Sequence, residues 1–580
     1  MRTHWLWGPA AALLYAAVVA GVLLFRAGSV PAACAGGVPR TVDVRFLVVG
    51  AATDTTTQAW TSSLRQLGVP FTRVEPGALL RTPLRAGSGA GLYLADVVVS
   101  PRRLPVAGER RLAAYERAFG IRRIVARQDV PQPGLDVPPG EVPLDGRVAQ
   151  LTAAGKALFP YLRGPVPIDS ATGRIGTASG AATPLLEVEG GVLAARLQRP
   201  DGVEEISLTT ETGPDLLHQL LLAPGLVSWA AHGLLTASWR PFLTIQIDDI
   251  LLPSFVWIPR VHSSGYRSGV LNPTNFGDYI IRMTPADVRY AAAWERREGF
   301  TLDLGVNGYA LGGDCGPLVR AVIGARNDFR WFNHTYQHLN LDHVSTAVAA
   351  EQIARNVAWA KSRKVPLRPW ELVTGEHSGL HNPALPAALE ETGIRVFGSD
   401  ASLQPLPYRL GPATALPRHP MNVFQDAATR AQELGEFNWR EYFHCSAGCI
   451  PAPFDWRQFR RYESTRLLRL MLSNDPRPSY AHESNLAQDR ILLDVLSATL
   501  ARFRALVRTP VANPPMTEEL QALERRLRWR RAVADGTVVA VRVGDRLVLR
   551  SSASLAAPVL GDGRQRWLSL SPGKTRTVKP

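Results

Sequence analysis

The sequence predicts a multidomain α/β protein, and three observations carry that reading. At 580 residues the chain exceeds what one hydrophobic core organises, so about three or four domains are expected. Apolar strands alternate with helices near the N-terminus and again between 240 and 510, the pattern of parallel sheets buried on both faces. Short strands joined by Gly-Gly and Asp-Gly turns lie between and beyond those stretches and read as β-rich accessory segments.

Taken in order, Trp5 to Phe25 is a run of 21 residues without a charge, flanked by Arg2 and Arg26. At ~1.5 Å rise per residue it spans ~30 Å, the thickness of a bilayer core. Residues 1–26 are therefore expected to be a transmembrane signal anchor, with the bulk of the chain extracellular. A cleavable signal usually has a shorter apolar stretch, although Ala33-Cys34-Ala35 offers an alternative of secretion after cleavage near residue 35. Residues 27–41 form a Gly/Ala/Pro linker. In 42–135, Val44–Val49, Phe71–Val74, Leu92–Val99 and Arg122–Ala126 read as strands. Helices at Gln58–Leu67 and Glu109–Phe119 separate them, giving a parallel α/β accessory domain. No phosphate-binding glycine pattern follows its first strand, so no nucleotide cofactor is expected.

A Pro/Gly-rich stretch from Gln128 to Gly146 marks a boundary. Residues 136–237 then read as a β-rich accessory domain, with strands at Pro184–Val188, Val192–Leu197 and Glu205–Thr209. That segment either binds carbohydrate or serves as a spacer. Residues 238–510 alternate strands with helices such as Ala347–Ala360 and Asp489–Leu506. The last segment, 511–580, holds a helix at Thr517–Arg531 and a small β appendage.

Composition narrows the function. The net charge of +15 comes overwhelmingly from Arg spread along the chain. Without a basic helix interleaved with aromatics, it marks a soluble face near an anionic envelope, and no nucleic acid is expected. Four cysteines fit an oxidising compartment sparingly used. In Cys445-Ser-Ala-Gly-Cys449 the small residues let a tight loop close, so a local disulfide is expected there.

The chemistry concentrates in two short stretches. Phe242–Ile247 alternates like a strand and stops at Asp248-Asp249. Mid-strand, adjacent side chains point to opposite faces, so both carboxylates reach one site only where the strand ends. His334-Thr335-Tyr336-Gln337-His338 places two imidazoles four residues apart behind the strand-like run Phe329–Phe332. One carboxylate and two imidazoles make three ligands for a divalent ion with an open position, and the second carboxylate is free to handle a proton.

The combination resembles the NodB-type polysaccharide deacetylases, whose first motif ends in Asp-Asp and whose second is His-[Ser/Thr]-x-x-His. The resemblance implies a deformed (β/α) barrel over 238–510, with Asp249, His334 and His338 holding the metal and Asp248 acting as general base. It further implies that His482, ending the short strand Pro478–His482, is the general acid. The family's third motif carries an arginine that orients the base. The corresponding stretch, Gly375-Glu376-His377-Ser378-Gly379-Leu380, has none, and Glu376 or His377 is expected to take the orienting or substrate-binding role. Val396-Phe397-Gly398-Ser399-Asp400 resembles the family's next strand and its Asp. The divergent first motif, Ile-Gln-Ile-Asp-Asp-Ile, and the N-terminal extension look more like carbohydrate esterase family 18, the group of the fungal galactosaminogalactan deacetylase.

These features imply a metal-dependent deacetylase acting on an extracellular N-acetylhexosamine polysaccharide, with one divalent ion, zinc foremost and cobalt, nickel or iron also suited. Two other functions stay open: a membrane-tethered glycan-binding or export protein on a decayed barrel, and a two-carboxylate glycoside hydrolase using Asp248 and Glu376. Trp257, Tyr266, Phe276, Tyr309 and Trp331 are candidates for stacking on sugars or for the core.

Overall fold

The computed structural model describes residues 40–180, 182–264, 279–310, 315–561 and 564–579. The expected anchor at 1–26 and almost all of the linker lie outside these residues. Among the described residues no helix is long and apolar enough to cross a membrane.

The second half of the chain folds as a closed barrel of seven parallel strands: β1 (Ile245–Asp248), β2 (Asp303–Val306), β3 (Arg330–Asn333), β4 (Leu367–Leu372), β5 (Val396–Asp400), β6 (Ala413–Pro420) and β7 (Ser479–His482). Their apolar residues, among them Ile245, Ile247, Leu304, Trp331, Phe397 and Ala481, are buried. Strands wrapped by helices on one face and packed inside on the other need this composition. The ring runs β1–β2–β3–β4–β5–β6–β7 and closes through four paired positions between β7 and β1. It is deformed in two places. The β3–β4 register shifts between Phe332 and Asn333, and β6 meets β7 over two positions only, His419 with Ser479 and Pro420 with Tyr480.

The floor of the barrel comes from beyond the expected boundary at 510. Asn513 binds the starts of three strands: its Nδ2 donates to the Leu243 carbonyl, its Oδ1 accepts from the Thr301 amide, and its carbonyl accepts from Arg330. The helix Met516–Ala534 then inserts Met516, Leu520 and Leu523 among Phe332, Val373, Val396 and Leu416.

The accessory residues form one sheet of nine strands, not two separate layers. Phe71–Val74, Phe46–Val49, Ala95–Val98 and Arg122–Val125 pair in parallel, and the last pairs in parallel with Glu204–Leu208. The sheet therefore runs straight across the boundary expected near 135. Its second half is an antiparallel meander with the hairpin Thr183–Val188/Gly191–Gln198 turning at Glu189-Gly190. The C-terminal sheet takes Thr41–Asp43 as an edge strand beside Val538–Val543, so both ends of the described chain meet. Such pairings between distant segments carry no periodic signature in the sequence.

The packing makes the helix after 515 part of the barrel. Replacing Leu520 by Ala is expected to cost about 2–5 kcal/mol, measured by urea unfolding of the full chain. A loss below about 0.5 kcal/mol would show that the floor is not part of the barrel core.

Candidate metal and catalytic site

The chemical residues gather at the C-terminal ends of the barrel strands, where such barrels place their reactive groups. Asp248 ends β1 directly beside His482 of β7 in the parallel register. Neighbours in register project to the same face, so the two share the mouth of the barrel. Asp249 has φ of +66°, a left-handed conformation that ends the strand. That turn brings its side chain round to the mouth instead of to the opposite face, at a backbone cost of about 1–2 kcal/mol.

On the facing side, His334 follows β3. Its Nδ1 lies 2.8 Å from the Val373 carbonyl oxygen. A carbonyl can only accept, so Nδ1 carries the proton and Nε2 is left with a bare lone pair. That nitrogen faces Asp249 Oδ1 at 3.2 Å, and His338 Nε2 lies 3.3 Å from the same oxygen. His334 Nε2 and Asp249 Oδ1 are buried and neither makes a hydrogen bond. Two facing acceptors with no proton between them are unfavourable unless a cation joins them. The ligand atoms of Asp249, His334 and His338 all lie within 4.8 Å of one another. Two imidazoles, one carboxylate and an accessible mouth suit a divalent ion with an open position. The local field attracts positive charge, a proton or a metal ion: burial disfavours a charged His334, yet Asp248 and Asp249 outweigh it and raise its pKa.

The second imidazole depends on a glycine. His338 has φ of +57°, and its ring lies against Gly375. A Cβ on Gly375 would sit 2.6–2.7 Å from ring atoms of His338, so only glycine leaves room for this ligand.

Asp248 is held by Arg418 on β6, whose Nη1 and Nη2 each donate to one carboxylate oxygen at 2.9 Å. Both side chains are buried. Burial alone would raise the Asp248 pKa, but the adjoining guanidinium overrides it and keeps the carboxyl well below its ordinary range. The guanidinium carbon also sits 4.4 Å over the Tyr480 ring. His377 Nε2 lies 2.5 Å from Arg418 Nη2. Since Arg only donates, that nitrogen accepts and the ring is neutral; burial, with Arg418 adding to it, pushes the His377 pKa down to about 3. His482 is buried, which drives its pKa down against the pull of Asp248 and Asp249. These groups line a cavity of about 370 Å³ with Thr374, Glu376, Asp426 and Tyr480.

The expected site residues thus meet in one place, with one correction. Neither Glu376 nor His377 holds Asp248: Glu376 accepts from Asn340 Nδ2 at 2.8 Å, and His377 buttresses Arg418. Asp400 accepts from the Tyr480 hydroxyl at 3.2 Å and from Ser402. The missing arginine is Arg418, supplied by a different strand. Its signal was a lone Arg closing the apolar run Ala413–Pro417, since buried arginines are rare without a carboxylate partner. Among the candidate stacking residues, Trp257 and Trp331 are buried in the core and Tyr309 is exposed; Tyr266 and Phe276 lie outside the described residues.

The fold itself is known. The chain superposes on the crystal structure of Agd3, a novel carbohydrate deacetylase, with a TM-score of 0.74 over 93% of this chain and 98% of that one, at 18% identity. The two share one fold over almost their whole lengths. Looser similarities reach a putative polysaccharide deacetylase from Mycobacterium smegmatis (TM-score 0.32, 13% identity, 50% of this chain and 94% of that one). Another is the Bc1960 peptidoglycan N-acetylglucosamine deacetylase (TM-score 0.25, 11% identity, 46% and 85%). These two overlap too little to carry argument. No family model matches the chain, and no curated protein sequence matches it.

The geometry makes Gly375 a sensitive probe of the ligand set. Gly375→Ala is expected to displace the His338 ring and weaken zinc affinity about 10–100-fold, read by competition with a chromophoric chelator. Unchanged affinity would remove His338 from the set.

Proposed function

We propose that the protein is a metal-dependent polysaccharide deacetylase that hydrolyses N-acetyl groups of an extracellular amino-sugar polymer. The single observation that carries this reading is the facing pair of bare acceptors, His334 Nε2 and Asp249 Oδ1, beside a separately held carboxylate. The fold shared with a carbohydrate deacetylase supports it. A two-carboxylate glycosidase leaves the imidazole pair unused, and a decayed barrel has no reason to keep Asp248 bound to Arg418.

Asp249, His334 and His338 would hold the ion, which when bound supplies Lewis acidity and a lowered water pKa. Asp248, fixed by two hydrogen bonds from Arg418, takes the proton of the water as its oxygen attacks the acetamide carbonyl carbon. So weak a base is a poor resting place for that proton. His482, neutral in the resting site, receives it and delivers it to the amide nitrogen as the C–N bond breaks. Acetate and a free hexosamine amine leave.

A place on the outer side of a cell membrane, with 1–26 as the anchor, fits the disulfide Cys445–Cys449, because such bonds persist where the surroundings are oxidising. The substrate and the site of action are parts of the same proposal.

Partially acetylated hexosamine oligomers are expected to lose acetate with this protein, with activity abolished by a chelator and restored by zinc. Release of reducing ends without acetate would overturn the reading. His482→Ala should lower kcat about 10²–10⁴-fold while zinc content stays at the wild-type level. Arg418 holds Asp248 ionised far into acid, so the wild-type acidic limb does not come from Asp248. In Arg418→Gln the strongest influence opposing burial is lost and the Asp248 pKa rises. The acidic limb of kcat/KM is therefore expected to move to higher pH, and an unmoved limb would deny Arg418 this role.

A further inference from the structure

We infer that the aromatic ledge built by residues 257–264 and 439–449 is a stacking platform for sugar units that extend out of the cavity; the inference rests on the polysaccharide reading above and names how the chain is held. Residues 257–264 form a hairpin that joins cavity and ledge. Trp257–Ile258 pairs with Ser263–Ser264, Ser264 lines the cavity, and the Trp257 amide donates to the carbonyl of Asp426, another cavity residue, at 2.7 Å. Two positions before Ser264, no more than about 8 Å along the chain, His262 leaves the hairpin and lies flat on Trp439. Their ring centroids are 3.5 Å apart and their planes 2° from parallel.

Trp439 opens a wide π-helical turn, Trp439–Phe443, that continues the helix Arg430–Asn438. That helix rests on the hairpin through Gly435, where a Cβ would stand 3.3 Å from Trp257 Nε1. The turn throws two large rings outward: Phe443 is 61% exposed and Tyr442 40%, with centroids 4.9 Å apart. Immediately beyond, the Cys445–Cys449 disulfide closes a five-residue loop, and His444 packs on Trp439 at 3.7 Å.

Rings of this size are ordinarily buried. Here a wide turn, a disulfide and a stacked imidazole hold them in solvent, which an incidental surface does not need. The occupant is identified by chemistry. Pyranose rings offer a C–H face to an aromatic ring and hydroxyls to the imidazoles at its rim, and the ledge is continuous with the cavity that would take the acetamido unit. Phe443 does not line the cavity, so the ledge is assigned to units beyond the one in the cavity and serves chains of several units.

The test compares an N-acetylhexosamine dimer with a hexamer. Phe443→Ala is expected to raise KM for the hexamer about five- to tenfold. KM for the dimer and kcat for both should be unchanged, and Phe443→Tyr should restore the hexamer value. A double Cys445→Ser/Cys449→Ser variant is expected to raise the hexamer KM as well. Equal effects on both lengths, or none, would overturn the platform. If wild-type protein releases acetate from neither oligomer, the deacetylase reading fails instead. The ledge is then tested by titrating hexamer while following tryptophan fluorescence: a saturable change absent in Trp439→Phe sustains it, and no change overturns it.

Discussion

A lone pair on His334 Nε2 pointing at a carboxylate oxygen of Asp249 is the constraint on which the rest of the site depends. The Val373 carbonyl takes the only proton the neutral imidazole has, so the two acceptors face each other bare unless a second proton or a metal ion stands between them. Such an arrangement is tolerable in a buried place only if a cation occupies it. The molecule spends conformational strain to keep it: Asp249, Thr335, His338, Glu376 and His377 all have φ between +51° and +66°. Non-glycine residues in that region cluster where surrounding packing dictates position, as active sites do.

Separate strands divide the work. The end of β1 contributes both carboxylates, the loop after β3 both imidazoles, β6 the arginine and β7 the last histidine. Because β7 and β1 are in register at Asp248 and His482, the two groups proposed to handle the proton are neighbours by construction. The guanidinium of Arg418 separates their duties further: it keeps Asp248 ionised, while burial keeps His482 neutral. The floor around Asn513 and Leu520 fixes the starts of the same strands, so positions at the mouth are set from the opposite end of the barrel.

Much of this was legible in the sequence where it was local. The strand ending at Asp248 followed from alternation and from where it stopped. The expected strand Phe329–Phe332 and helices Gln58–Leu67, Ala347–Ala360 and Asp489–Leu506 fall on elements at Arg330–Asn333, Thr55–Leu67, Thr346–Ser362 and Ile491–Leu506. Residue type and spacing offered a carboxylate pair and two imidazoles, and the family resemblance singled out Asp249, His334 and His338, whose ligand atoms the fold brings together. What escaped was non-local. Arg418 reaches Asp248 across 170 positions, and no spacing rule links them. The single nine-stranded sheet escaped because Arg122–Val125 finds Glu204–Leu208 only after the chain returns past a Pro/Gly-rich stretch that resembles a domain boundary. Two of the candidates for stacking or for the core resolve for a related reason. Trp257 and Trp331 have the right chemistry but lie inside, whereas Tyr442 and Phe443 stand exposed on a wide turn beside a disulfide-closed loop.

The most direct test of the central claim is X-ray absorption at the zinc edge on the zinc-loaded protein. One ion with two imidazole nitrogens and oxygen ligands at ~2.0–2.1 Å is the result this account predicts. Sulfur in the coordination sphere, or the same two-imidazole signature persisting in His334→Ala, would contradict it.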